Sequence, residues 1–331
     1  MLTISEIRNA PSNEWDEMWQ SCDYSTYYHS REWAEIWQAY SNGRINPNPQ
    51  KVAFSDGVTV LLPFSRQSYY GGAINRFSLA GPPAGSLPFY GNWLSSDTLT
   101  PDHVNLLSKH LINTYRNLVW RLNPFDNNSK IISIQSKYTS RKSFVSYMID
   151  LSKGEERIYS DIKKNCRNKI QQGMKNKLVV REAENINEWK KYYGIYQDTV
   201  KRWGKKTLYL LGWNFFELLY NVDNKYSKLW LTWRNNKPIA GSICFYSHQK
   251  VLIWHSASLT EYRNLRPVNL SWFEIIKDGI NKSYRWVDFE TAGGNKGLIG
   301  FKKSFGPQEI MSDRIINWHP IIYYAKNIMQ K

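Results

Sequence analysis

Residues 256–270 read SASLTEYRNLRPVNL, and residues 286–307 read WVDFETAGGNKGLIGFKKSFGP. The first stretch leaves an apolar run, Val251 to Ser256, and crosses a polar segment that ends at Pro267. Beyond it Leu270, Phe273, Ile276 and Ile280 recur at three- and four-residue steps, which predicts a helix over 265–280. The second stretch predicts a strand, Trp286 to Phe289, and a short helix, Lys296 to Phe305. Upstream lie two more strand candidates, Ser227 to Trp233 and Ile239 to Tyr246. Asn235-Asn236-Lys237-Pro238 and Ser247-His248-Gln249-Lys250 supply turns between the three strands. Three successive strands followed by helix, strand and helix describe a mixed α/β layer.

Working outward, Ile158, Ile162, Cys166, Ile170 and Met174 stand at steps of four, so Glu155 to Lys175 is expected to be one helix. Lys177 to Arg181 follows as a strand, and Asn187 to Trp203 and Trp213 to Tyr220 as helices. Ile310 to Asn317 is a last strand, before a helix around Tyr323 to Met329. The first half repeats the style. Trp15, Met18 and Trp19, then Trp33, Ile36, Trp37 and Tyr40, mark two short helices. Val52 to Phe54 and Val58 to Phe64 flank Asp56-Gly57, a hairpin signal. Ser78 to Pro88 is rich in Gly and Pro and is expected to be a loop or a tight strand entry. Asp102 to Tyr115 is a helix, and Leu118 to Leu122 and Phe144 to Leu151 are strands, all around one sheet. A length of 331 residues suits two domains, with a boundary expected near 150: residues 1–150 and 151–331.

Lys and Arg number 44 against 28 Asp and Glu, a formal charge of +16. Such a surface attracts nucleic acid, anionic headgroups or pyrophosphate-bearing substrates; it also fits a merely solvated surface. No apolar run approaches the ~20 residues of a membrane span. Met1 to Ala10 lacks the basic and apolar regions of a signal peptide. Cys22, Cys166 and Cys244 are scattered and odd in number, which suits neither a disulfide framework nor a zinc cluster and points to the cytoplasm.

The strand-to-helix junction at 256–267 is a natural anion site, because amides at a helix start are unpaired and carry the positive end of the dipole. Arg263 and Arg266 can add charge-assisted bonds to phosphate oxygens, or simply face solvent. Eight Lys or Arg occur from Arg157 to Arg181, with Asp161 the sole acid. Of these, Lys163, Lys164, Arg167 and Lys169 can contact tRNA or a lipid-linked pyrophosphate at a membrane surface; the alternative is a solvated helix face. His255, on a strand, is expected to be a core or pocket-lining residue.

From Gly241 to Pro307 the sequence resembles the Fem family, non-ribosomal peptidyl transferases that build cell-wall cross-bridges, and the wider Fem-like branch of the GNAT acyltransferase superfamily. The resemblance rests on Ala257-Ser258, Glu261-Tyr262-Arg263-Asn264-Leu265, Pro267, Asn269 and Leu270. It continues through Asp288-Phe289, Gly297-Leu298 and Phe301-Lys302-Lys303-Ser304-Phe305-Gly306. It implies two tandem GNAT-like α/β domains, mixed sheets flanked by helices, and transfer of an acyl or aminoacyl group onto an amine of a cell-envelope precursor, nucleotide- or lipid-linked. It implies no bound cofactor, with aminoacyl-tRNA or acyl-CoA as donor.

In such a site an amine attacks an ester or thioester carbonyl, so a proton must leave and an oxyanion must be stabilised. Asp288 and Glu290 are the candidates for handling the amine, and Lys302 for holding negative charge. Arg263, Arg266, Tyr262, Asn269, Lys163, Lys164 and Arg167 are the candidates for binding substrate. The resemblance also implies that substrate assistance can replace a protein base. Two departures from the family pattern stand at the site. Glu290-Thr291-Ala292 precedes Gly293-Gly294, and Gly306 is followed by Pro307. Nor is there a Gln/Arg-x-x-Gly-x-Gly loop for a CoA pyrophosphate; Arg263 to Val268 occupies its place without glycine.

Overall fold

The computed structural model describes residues 1–68, 79–81, 91–115, 117–126, 132, 137–204, 210–222 and 226–323. They fall into two compact units, 1–144 with 311–331, and 145–310. This division differs from a cut at 150 in one respect that matters: the chain after Met311 returns to the first unit. The reason is pairing. Residues 314–317 run antiparallel to 118–121, with Ile315 opposite Trp120.

The first unit opens with β1 (Ile4–Asn9), α1 (Ser12–Ser21) and α2 (Arg31–Tyr40). The aromatic spacing foresaw both helices. Buried indoles tie them down: Trp15 Nε1 donates to the His29 carbonyl at 2.8 Å and Trp19 Nε1 to that of Thr26 at 2.9 Å. β2 (Ile45–Pro47), β3 (Gln50–Phe54), β4 (Thr59–Leu62), β5 (Ser65–Gln67) and β6 (Leu79–Gly81) follow. The expected hairpin is β3–β4, with Gly57 at φ +91° in its turn. α3 (Pro101–Thr114) and β7 (Leu118–Arg121) complete the sequence-expected set. One expectation is corrected: the strands form not one sheet but two sets, β1-β3-β4 and β2-β5-β6-β7 joined by the returning strand. β1, two-thirds polar, carried too weak an alternation to be recognised. Of the stretch 78–88, expected to be a loop or a tight strand entry, residues 79–81 form β6 and the others lie outside the described residues, as does most of the expected terminal helix.

In the second unit, β8 (Thr139–Asp150) contributes its residues from Val145 onward. The sheet order is β8-β13-β12-β11-β10-β9, built from β9 (Val179–Glu182), β10 (Ser227–Arg234), β11 (Lys237–Ser247), β12 (Lys250–Ser258) and β13 (Trp286–Thr291). The returning strand is β14 (Gln308–Asn317). α6 (Ile186–Trp203), α7 (Trp213–Asn221), α8 (Pro267–Asn281) and α9 (Lys296–Lys303) lie where the periodicity put them. Adjacent residues of β12 identify the layers. His255 meets Tyr192 of α6, and Ser256 meets Trp272 of α8, so these helices cover opposite faces. Buried apolar residues of α8 (Leu270, Phe273, Ile275, Ile276) pack with Val251, Ile253, Val287 and Phe289 in one core.

The helix expected over 155–175 is instead two, α4 (Glu155–Asp161) and α5 (Lys164–Lys175). Neither Gly nor Pro stands at the break, so local propensity gave no warning. Tertiary bonds make it. Lys163 N–H donates to the Ser304 carbonyl at 2.9 Å, and Arg167 Nη1 reaches the carbonyls of Ser160 and Ile162 that the end of α4 leaves open.

Candidate functional site

β12 and β13 pair in parallel over only three residues, Lys250–Leu252 with Trp286–Asp288. β12 then continues along β11 to Ser258, past a bulge at Trp254. Beyond its end a 3-10 turn, Thr260–Leu265, leads into α8. Arg266 is the hinge residue, left-handed at φ +62° and ψ 39°, and Pro267 begins the helix. Proline suits that position because its missing N–H would have no helical partner. No side chain caps this end, so the first amides of α8 remain available.

Here the second unit holds a cleft of about 350 Å³. Ser256 to Ser258, Arg263 and Arg266 to Asn269 line one side; Lys169, Thr199 and Arg202 line another; Trp272, Leu298 and Phe301 supply the apolar wall. Four cations, Lys169, Arg202, Arg263 and Arg266, therefore face one space, and no carboxylate is among the described lining residues. Burial and the neighbouring Arg263 both lower the Arg202 pKa, so the cations are close enough to repel. Nε of Arg266 is buried without a protein partner. Asp198, 3.3 Å from Arg202 Nη1, offsets only part of this charge, and a cluster in such excess favours an anion.

Arg202 also organises the site. Its Nη1 donates to Thr260 Oγ1 at 2.7 Å and to the Ser258 carbonyl at 3.2 Å. Asp198 accepts the Thr260 N–H at 2.9 Å and its hydroxyl at 2.7 Å. α6 thus clamps the start of the turn that carries Arg263. Sequence reasoning missed Thr199 and Arg202, which lie more than 50 residues upstream. Their i, i+3 spacing on a helix was the available signal, and it looks like any polar face.

Of the expected substrate-binding residues, Arg263, Arg266 and Asn269 line the cleft. Asn269 is buried and its Nδ2 lies 3.5 Å from Cys166 Sγ. Tyr262 does not line it; its ring lies under Lys237, 5.0 Å away, and Arg234, 5.9 Å away. Lys163 and Lys164 are exposed at the start of α5, and Arg167 spends its guanidinium on the α4 carbonyls. The neighbour that does enter the cleft is Lys169.

The three expected catalytic residues are together, but behind the apolar wall. Asp288 is 1% exposed, and its Oδ1 accepts the Glu290 N–H at 2.6 Å. Glu290 is buried in a left-handed conformation, φ +57°. Lys302, expected to hold substrate charge, is buried and donates instead to the carbonyls of Phe289, Glu290 (3.4 Å) and Thr291 (2.9 Å). Phe301, beside it in sequence, is what reaches the cleft.

His255 stands on the far face of β12. Tyr192 Oη is 2.6 Å from its Nδ1, and the rings of Tyr196 and Trp254 enclose it. Burial lowers its pKa from 6.5 to about 4. The unfolded state then binds a proton that the native state refuses. Stability is complete above pH 6.5 and is lost as pH falls from 6.5 toward 4, by up to about 3 kcal/mol. Urea midpoints measured at pH 7 and pH 4.5 are expected to show this loss, and His255→Gln to flatten it; an unchanged slope in the variant assigns the acid sensitivity elsewhere.

Cys22, Cys166 and Cys244 are buried and free. Among the described residues no group of His, Cys, Asp or Glu could hold a metal, and no helix is long and apolar enough to cross a membrane.

Comparison with known proteins accounts for this architecture. A crystal structure of FemX superposes with TM-score 0.67 at 11% identity, covering 97% of this chain and 99% of that one. A conserved protein of unknown function from Bacteroides thetaiotaomicron gives 0.58 at 12% identity, covering 96% and 100%. L-PGS from Bacillus licheniformis gives 0.57 at 9% identity, covering 96% of each chain. At these identities the likeness speaks for the fold. A search of curated proteins gives no match. The profile of the FemAB-like family, described as peptidoglycan biosynthesis/recognition, matches residues 107–319, more than half of the sequence, and the chain belongs to that family.

Proposed function

We propose that the protein is an aminoacyl- or acyltransferase that modifies an amine of a cell-envelope precursor, with the anionic part of the donor held in the cleft at the start of α8. The observation that carries this reading is the convergence of Lys169, Arg202, Arg263 and Arg266 on one cleft without a lining carboxylate. FemAB-like membership, a family described as peptidoglycan biosynthesis/recognition, supports this reading.

The reaction asks little of protein side chains. The acceptor nitrogen attacks the donor carbonyl, a C–N bond forms, and the C–O bond of an ester (or C–S of a thioester) breaks. The amine proton ends on the leaving oxygen or sulfur. Asp288 and Glu290 sit behind the wall and act at one remove, shaping it. A group of the substrate, its phosphate above all, relays the proton from the amine to the leaving atom, and the cations stabilise the charge that develops. Aminoacyl-tRNA suits the cleft better than acyl-CoA. Arg266 and Pro267 occupy the place where a glycine-rich loop would let a pyrophosphate approach the backbone. The exposed Lys163 and Lys164 add positive charge for a nucleic-acid donor or an anionic precursor at a membrane surface.

The test is donor-resolved transfer. Purified protein is incubated with an envelope amine precursor and either charged tRNA or acetyl-CoA, and products are read by mass spectrometry. The expected product is the precursor plus one aminoacyl residue, with charged tRNA alone. Product from acetyl-CoA alone would make the chain an N-acetyltransferase. No product, with steeply salt-dependent binding to any polyanion, would make it a binding module and end the transferase reading.

A further inference from the structure

The geometry points to Lys302 as a positioning residue for the apolar wall of the cleft rather than a ligand of substrate, an assignment that rests on the proposed transfer reaction only for its catalytic readout. A lysine ammonium has three N–H donors. Here the carbonyls of three successive residues, Phe289, Glu290 and Thr291, converge on one nitrogen. Successive carbonyls of a regular strand point in alternate directions, so they cannot do this. They do so because the chain bulges: the β13–β8 register shifts between Asp288 and Thr291, and Glu290 is left-handed. Asp288 closes the same bulge from the other side by accepting the Glu290 amide.

What the bulge places is Phe289. Its ring, 1% exposed, lies 4.5 Å from Trp272. Trp272 lies 4.8 Å from Phe301, and its Nε1 donates to Ser256 Oγ at 2.9 Å. Trp272, Phe301 and Ser256 all line the cleft. A chain of packed rings therefore runs from the Lys302 ammonium to the wall. The four cleft cations stand on α5, α6 and the 260–266 turn, and none of them bonds to Lys302 in this network.

Two experiments test the assignment. In the wild-type protein, reductive methylation read by mass spectrometry is expected to leave Lys302 unmodified with or without inorganic pyrophosphate, while Lys169 is modified and pyrophosphate protects it. Rapid labelling of Lys302 that pyrophosphate blocks would overturn the proposal, and this holds whether or not any variant folds. In Lys302→Met and Lys302→Arg, pyrophosphate Kd is expected within about 3-fold of wild type, since the cations are untouched. Transfer kcat is expected to fall about 10- to 100-fold at temperatures well below Tm. Hydrogen exchange should quicken over 286–292 and spread to 256–258. A tenfold loss of pyrophosphate affinity in a folded variant would make Lys302 a ligand. Faster exchange confined to 286–292, with kcat unchanged, would make it structural only. If wild type shows no transfer with any donor, the functional proposal fails alone, and labelling and exchange still decide this one.

Discussion

Replacing Gly306 with alanine is expected to unfold the second unit at temperatures where the wild type is stable. Gly306 has φ +73°, a conformation that costs an L-residue about 1–2 kcal/mol. The larger cost is steric. A Cβ at this position would stand 2.8 Å from the Asp161 carbonyl carbon and closer still to its oxygen. Asp161 ends α4, and that carbonyl is backbone, not the tip of a flexible side chain. It cannot swing away without moving the α4–α5 break, which Lys163 N–H pins to the Ser304 carbonyl. The expected penalty is about 3–5 kcal/mol, a large share of the stability of a domain this size. Thermal and urea unfolding of Gly306→Ala measure it, with Gly293→Ala as the comparison. Gly293 also has positive φ, +56°, but an added Cβ there meets nothing within 4 Å. Equal losses in the two variants would show that only backbone strain matters and that the close approach to Asp161 carries no weight.

Gly306 also shows how far the sequence could be read. It belongs to the string Phe301 to Gly306 that placed the chain beside the Fem family, and the structure supplies its cause: two backbones touch. Long periodic elements such as α6 and α8 were legible because one face of each is buried. The break between α4 and α5 was not, because bonds from Ser304 and Arg167, distant or outside the local repeat, override a sequence that would otherwise continue as helix. β1 and the return of β14 to the first unit were invisible for a related reason. Pairing partners are properties of the fold, and a strand's own residues do not name them. The cleft divides the same way. Arg263, Arg266 and Asn269 lie on one continuous turn and helix start, so their proximity was implied by the local pattern. Lys169, Thr199 and Arg202 arrive from two other helices. Lys302 stands within the family string, yet its ammonium turns away from the cleft to the β13 carbonyls.

Charge reversal at Arg263 is expected to slow transfer by two to three orders of magnitude while leaving the fold intact. Arg263 is exposed on the 260–265 turn, and its side chain makes none of the bonds that tie that turn to Asp198, Arg202, Gln172 and Lys237. Removing a charge-assisted phosphate contact costs about 1.5–3 kcal/mol, a factor of roughly 10–100. A glutamate adds repulsion of the anion and also pairs with Arg202, whose pKa is then expected to rise because its like-charged neighbour is gone. Arg263→Glu should therefore lower kcat/KM by roughly 10²–10³, more than Arg263→Ala, with Tm unchanged. The gap between the two variants should narrow as salt rises, since an exposed charge is screened over about 10 Å at 0.1 M ionic strength. Lys175→Glu, an equally exposed reversal at the end of α5 and outside the cleft lining, separates local contact from general attraction. If Lys175→Glu and Arg263→Glu cost the same, the basic surface acts as a diffuse field, and the donor's anionic group does not sit at the start of α8.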